Sequence, residues 1–238
     1  MKVLVASFAY NEGVKIVETI KRFPSVNERD YDLMVCDDGS TDGSIELLEK
    51  CNVKFLRHSF NQGIGRMMKD FFDYAISNCY DVVVILAGNN KDDPLEIPRL
   101  LSPIINDGYD FIQGSRYLKG GNFGNMPLYR QVATRFIHPL MMSCISKRKI
   151  TDSTNGFRAI RVSLLKNEQI NYRQDWLDKY ELEPYLFYKA IKLGYKIKEV
   201  PVTKIYPSKK LGYTKMRPIT GWWSIMRPLI LLGLGIKK

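Results

Sequence analysis

The 238-residue chain is poor in the side chains that build metal centres and covalent scaffolds. It has two histidines, His58 and His138, and four cysteines, Cys36, Cys51, Cys79 and Cys144, none in Cys-x-x-Cys spacing. A disulfide framework, a zinc site or a histidine-rich metal centre is therefore not expected. No secretory signal precedes the first apolar run, so a reducing cytoplasmic compartment is the expectation. Long apolar stretches are missing too: Leu229 to Ile236 is too short to span a bilayer. Acids are nearly absent from the last fifth. Residues 189–238 carry twelve Lys and Arg against the single acid Glu199, which leaves residues 1–188 neutral. No stacking or groove-reading motif accompanies that charge, which argues against nucleic acid. Trp222, Trp223 and the apolar run closed by Lys237 and Lys238 fit a segment, 216–238, that rests on an anionic membrane surface. The alternative is an ordinary C-terminal helix packed on the core.

What is present suffices for one sizeable core, since 45% of residues are hydrophobic and 26% charged. Strand and helix patterns alternate from the start. Lys2–Ser7, Tyr31–Asp38, Val53–Arg57 and Val82–Leu86 read as strands; Val14–Phe23, Ser44–Lys50, Gly65–Ser77 and Leu95–Ile105 read as helices. This succession predicts an α/β fold, a mostly parallel sheet sandwiched by helices, with ligands at the C-terminal strand ends. Further along, a strand near Asp110–Gln113, a long helix from Leu128 to Ile145, a helix over Glu183–Leu193 and one strand over Lys196–Ile205 are expected. Residues 1–215 form the globular unit in this reading.

Three strand-end loops carry a resemblance: Ser7-Phe8-Ala9-Tyr10-Asn11-Glu12, Val35-Cys36-Asp37-Asp38-Gly39-Ser40-Thr41-Asp42 and Asn61-Gln62-Gly63-Ile64-Gly65. Together they resemble the inverting family 2 glycosyltransferases of the GT-A, Rossmann-like fold. The downstream chain is most similar to the dolichol-phosphate and polyprenyl-phosphate sugar synthases, over roughly residues 2–215. The resemblance implies a nucleoside-diphosphate sugar bound by Ala9, Tyr10, Glu12, Asp37, Asp38, Gly63, Gly88, Asn89 and Lys215. A strand-end carboxylate can accept hydrogen bonds from a base edge or ribose, a role open to Asp37 or Asp38. Gly63 and Gly65 would let backbone approach the nucleotide, and Asp42 would cap the next helix.

Gln113-Gly114-Ser115-Arg116-Tyr117 resembles the synthases' Gly-Ser-Arg-Tyr segment, and Tyr129-Arg130 with Thr134 the arginine-bearing helix start that follows it. An arginine fork matches phosphate geometry, so Arg116 and Arg130 are candidate phosphate holders in catalysis. Asp152-Ser153-Thr154-Asn155-Gly156-Phe157-Arg158 resembles Asp-x-x-Ser-Gly-Phe-Arg, with Asn155 where serine is usual. The acceptor side would then use Arg130, Thr134, Asp152 and Arg158, unless Asp152 and Arg158 simply pair with each other. Glu183 orients substrate, acts as general base, or only favours its helix start. Asp175 and Asp178 are further candidates for the base, and Gly212-Tyr213-Thr214-Lys215 would bring a lysine to the pyrophosphate.

The family pattern Asp-x-Asp, followed by x-Gln, falls on Ala87, Asn89 and Lys91. Ala87 offers no ligand, Asn89 only a neutral oxygen, and the Lys91 ammonium would repel a cation. A conventional magnesium or manganese site is not expected, unless Asp92 or Asp93 turns inward to hold one. Lys91 would instead supply the positive charge at the diphosphate. The resulting expectation is sugar transfer to a polyprenyl-phosphate or other lipid-linked acceptor, with inversion, at the inner membrane face. A hydroxyl transferase of lipopolysaccharide or capsule assembly, and a non-catalytic nucleotide-sugar binder, are the alternatives.

Overall fold

The computed structural model describes residues 1–51, 53–207 and 220–237. In chain order the elements are β1 (Val3–Ala9), α1 (Val14–Lys21), β2 (Asp32–Asp37), α2 (Ser44–Leu48), β3 (Lys54–Arg57), α3 (Ile64–Ser77), β4 (Val82–Ala87) and α4 (Ile97–Asp107). They continue with β5 (Phe111–Ser115), β6 (Asn122–Gly124), α5 (Leu128–Val132), α6 (His138–Ser146), β7 (Arg158–Arg161), α7 (Val162–Leu165), α8 (Leu182–Lys192), β8 (Ile197–Pro201), β9 (Thr203–Ile205) and α9 (Thr220–Gly233).

The main sheet runs β3-β2-β1-β4-β7-β5-β8, parallel throughout except for β7. The central strands β1 and β4 are apolar on both faces because helices cover both. Along β1, Leu4, Ala6 and Phe8 face a core with Phe71, Phe72, Tyr185 and Phe187. Val3, Val5 and Ala9 face the other, with Ile16, Ile20, Leu48 and Leu100. The parallel pairing of β1 with β4, Val3 beside Val82 through Phe8 beside Ala87, places both carboxyl ends at one edge.

Two of the elements that differ from the sequence reading shape the site. β7 is an added strand that enters antiparallel between β4 and β5; its four residues are too few for periodicity to reveal. The expected strand Lys196–Ile205 is two strands. Val202 turns out of β8 by donating to the Ser115 carbonyl and accepting from Asn122 N–H, and β9 then pairs with β6 in a separate two-stranded sheet. A residue-to-residue bridge, Asp92 to Lys204, fastens that small sheet to the end of β4.

The segment expected to be a distinct tail begins outside the described residues. Its described part, α9, packs on α6 and α8 and buries Leu229 and Leu232 in the first core. Arg227 pairs with the buried Glu181 at 2.7 Å. Trp223, Leu234 and Ile236 stay exposed. No described helix is long and apolar enough to cross a membrane.

Candidate active site

A cavity of about 900 Å3 opens where β1, β2 and β4 end, closed on the far side by α5, α8, β9 and α9. It is lined by Ala9, Tyr10, Glu12, Asp38, Gly63, Asn89, Lys91, Arg116, Arg130, Thr134, Arg158 and Glu183, all singled out from sequence. Asp37, Gly88 and Asp152 are not in its wall. Asp37 is fully buried, closes its turn by accepting from Ser40 N–H and pairs with Arg57 at 3.2 Å. Gly88 lies against β1, where a Cβ would sit 2.4 Å from Ile16 Cδ1. Asp152 stands behind Arg116. Lys215 lies outside the described residues.

The loop carboxylates are organised by the protein itself. Asp38 accepts from His58 Nδ1 at 2.8 Å, Asn61 Nδ2 at 2.8 Å, and the Gln62 and Gly63 amides at 2.9 and 2.8 Å. With four donors, both oxygens are engaged, and the immediate product of Asp38 is a fixed 61–63 loop at the cavity mouth. His58 Nε2 reaches Asp70 at 2.8 Å, tying that loop to α3. Gly63 and Gly65 are required by a different neighbour from the expected nucleotide. A Cβ at Gly63 would meet Asp178 O at 2.4 Å and one at Gly65 would meet Leu177 O at 2.0 Å, so it is the chain's own backbone that approaches. Asp42 accepts from Ser44 N–H at 3.1 Å and from Gly13 N–H at 2.9 Å, serving the start of α2 as expected.

Asp152 and Arg158 do not pair with one another. Asp152 holds Arg116 through two bonds, Nε to Oδ2 at 2.6 Å and Nη2 to Oδ1 at 2.8 Å. Burial opposes the charge of both, yet the pairing lowers the Asp152 pKa and raises that of Arg116. Arg158 donates to the carbonyls of Asn155 and Ser153 and lies 3.4 Å from Glu183 Oε1. Of the other candidate bases, Asp178 is held by Lys69 and neither it nor Asp175 lines the cavity.

Several basic side chains, among them Lys91, Arg116, Arg130, Arg158 and Lys204, reach the cavity, three of them already paired: Arg116 with Asp152, Arg158 with Glu183 and Lys204 with Asp92. Lys91 Nζ sits 4.3 Å from the Tyr206 ring centre and Arg130 Cζ 5.7 Å from it, two cations sharing one aromatic. Burial, with the neighbouring Lys204 and Arg130 charges, pushes the Lys91 ammonium down to about 7. Lys204 and Tyr206 were missed by sequence reading, because they follow a strand whose break at Val202 was not legible.

The donor set at the end of β4 does not suit a divalent cation. Ala87 has no ligand atom, the buried Asn89 Oδ1 accepts no hydrogen bond but is uncharged, and Lys91 is an ammonium. Asp92 does turn inward, 3.4 Å from Ala87 N–H, but Lys204 holds it at 2.6 Å. Asp93 turns away, capping the following turn at Leu95 N–H and pairing with Arg22. Among the described residues no group of three or more His, Cys, Asp or Glu is placed to hold a metal.

His138, on α6, bonds Ser153 Oγ at 2.6 Å and approaches the Ile225 carbonyl of α9 at 3.3 Å. Burial pushes its imidazole down to about 4. The folded pKa lies below the unfolded value near 6.5, so the unfolded chain takes up the proton first. About 3 kcal/mol of stability, present above pH 6.5, should be lost as pH falls to 4. Thermal melting against pH checks this: in His138→Gln the acid-side decline should be shallower by that amount.

These features define an enzyme-like ligand site lined by cations, at the strand ends of a mostly parallel sheet. Comparison with known sequences bears this out: the profile described as "Glycosyl transferase family 2" matches residues 5–168. The chain belongs to glycosyltransferase family 2 and is an enzyme of that kind. Among its relatives, the polyprenol monophosphomannose synthase of Mycolicibacterium smegmatis is 30% identical over 77% of this chain and 69% of its own length. The undecaprenyl-phosphate mannosyltransferase of Micrococcus luteus is 27% identical over 91% and 88%. Glucosyl-3-phosphoglycerate synthase of Mycobacterium tuberculosis, solved with Mg2+ and uridine diphosphate, shares the GT-A fold, with a TM-score of 0.72 at 18% identity over 98% of this chain and 78% of its own.

Proposed function

We propose that the enzyme transfers a sugar from a nucleoside diphosphate to a polyprenyl phosphate, with inversion, at an anionic membrane surface and without a divalent ion. The observation that carries this reading is the set of cations lining one cavity, with Lys91 and Arg130 on the same Tyr206 ring beside a strand end that lacks metal carboxylates. The names of these relatives support the polyprenyl-phosphate acceptor. An acceptor phosphate oxygen would attack the anomeric carbon as the bond to the diphosphate breaks, the electron pair leaving on the nucleotide. Lys91 would neutralise that leaving group, and Arg130 would hold the acceptor phosphate. The nucleophile is already anionic, so no base is required. Glu183, steadied by Arg158, would orient the sugar.

A surface feature supports the lipid partner. Leu128, Val132, Phe136 and Leu140 are all exposed at i+4 spacing, with Tyr129 and Ile137 beside them. A π turn over Ala133–Ile137 joins α5 to α6, and its wider winding counters the drift that i+4 spacing accumulates on an α-helix. The stripe lies in residues 111–151, which hold seven Lys and Arg and no acid. The α6 segment touches α9, which carries the exposed Trp223 and is followed by the exposed Leu234. Apolar side chains flanked by cations suit an anionic headgroup layer.

The test uses the full chain, radiolabelled nucleotide sugars and liposomes carrying polyprenyl phosphate, with and without anionic lipid. Label should enter an acid-labile, organic-soluble product with inverted anomeric configuration, faster on anionic liposomes. Label confined to an acid-stable lipid would favour a hydroxyl acceptor, for which Glu183 Oε1, accepting no hydrogen bond, is the available base. No lipid product with any donor would reject the reading.

A further inference from the structure

The lysine that sequence reading missed occupies the most constrained position in the cavity. Lys204 Nζ lies 2.6 Å from Asp92 Oδ1 and 3.2 Å from Asn155 Oδ1. Asp92 and Asn155 are 1% and 0% exposed, and Lys204 only 8%. Backbone fixes the arrangement: Asp92 bridges Lys204, and Ile205 N–H donates to the Lys91 carbonyl at 2.9 Å. The ammonium is thus locked to the end of β4, beside Asn89 and Lys91, at the positions where the family pattern would put metal ligands. Two oxygens, one anionic and one amide, face it as hard donors face a cation. Asn155 is also the residue that departs from the family's usual serine, and its longer side chain is what brings the second oxygen to Lys204.

From this geometry we propose that the Lys204 ammonium is the enzyme's resident cation. Asp92 and Asn155 form its cradle, and it stands beside the donor diphosphate where a divalent ion would otherwise bind. This rests on the diphosphate-donor reading and adds a second residue to Lys91. A structural ion pair would use the same two oxygens to satisfy a buried ammonium; what it would not need is the opening to the cavity, which Lys204 has. Asp92 offsets one of the two lysine charges, so the net positive charge at the diphosphate position is complete when Lys91 is protonated. The charge is supplied by the chain and cannot be removed by a chelator.

The probe is inorganic pyrophosphate, titrated calorimetrically into the full chain in chelator-treated buffer. The unaltered protein should bind it. Lys204→Gln keeps a hydrogen-bond donor to Asp92 and Asn155 and should melt near the unaltered protein, yet bind pyrophosphate at least about tenfold more weakly, a loss of about 1.4 kcal/mol. Lys204→Ala should show the same loss, and methylammonium, which can enter the vacated cradle, should restore affinity to Lys204→Ala but not to Asp92→Asn/Lys204→Ala. Full affinity in Lys204→Gln would make the lysine's role structural and overturn the proposal. Absence of methylammonium rescue in a folded Lys204→Ala would overturn it as well. Binding is read without sugar transfer, so failure to glycosylate any lipid would leave these results standing.

Discussion

Alanine at Lys91 should lower kcat by about 10²–10³-fold, the usual cost of removing a fixed charge that stabilises a leaving group. Activity of the unaltered enzyme should meanwhile persist in excess chelator. The expectation follows from Lys91 Nζ being seated on Tyr206 inside the cavity, at a strand end without metal carboxylates. Steady-state kinetics with and without chelator measure it. Strict dependence on magnesium or manganese, or full activity in Lys91→Ala, would sink the charge-replacement reading. The depressed Lys91 pKa adds a signature. Burial first, then Lys204 and Arg130, favour its neutral form while Glu12 and Asp92 favour the charged one, leaving it at about 7. A diphosphate stabilises the ammonium, so binding between about pH 7 and 9 should take up a proton, and affinity should fall as pH rises. Calorimetry in buffers of different ionisation enthalpy reads the uptake, which Lys91→Arg should abolish.

Arg130→Ala should reduce kcat/KM for the lipid acceptor by about 10²-fold, consistent with loss of a charge-assisted contact to phosphate. Nucleotide affinity should change by less, because the resemblance assigns Arg130 to the acceptor phosphate, with Lys91, on the same Tyr206 ring, left to hold the diphosphate. Acceptor titration at saturating donor, paired with nucleotide calorimetry, separates the two. Equal losses in both would move Arg130 to the donor side. Thr134 gives a check on the local mechanism: its hydroxyl bonds Tyr117 Oη at 2.6 Å and the Arg130 carbonyl at 2.8 Å. Its loss should disturb Arg130 indirectly and by less.

Much of the cavity was legible in the chain because strand-end loops are local. Ser7–Glu12, Asp37–Asp42, Asn61–Gly65 and Gly114–Tyr117 each follow a strand whose apolar run is visible. Parallel order then forces their ends to one edge. What a loop residue does once there was less legible. Asp38 has the expected position, but four donors from its own chain determine what its oxygens touch. Gly88 fits the motif and yet serves packing against Ile16. The acid-free stretch 111–151 was present in the sequence too, but it was hidden when charge was summed over residues 1–188, where acids elsewhere balance it.

By itself the sequence determined the α/β class, the family, the cation-rich composition of the site and the loss of carboxylates at Ala87, Asn89 and Lys91. These are properties of spacing and residue type, which persist however the distant parts are arranged. Only the tertiary structure decided the partners: Arg116 for Asp152, Glu183 for Arg158, and Lys204 for Asp92. Those pairings join residues far apart in the chain, and they depend on β7 entering between β4 and β5 and on the chain leaving the main sheet at Val202. Neither event leaves a periodic trace, because four-residue strands and a single turned residue are set by the hydrogen bonds that surrounding elements leave open. The inward-turned Asp92 shows the consequence: its side chain was readable as a metal ligand until the fold placed an ammonium against it.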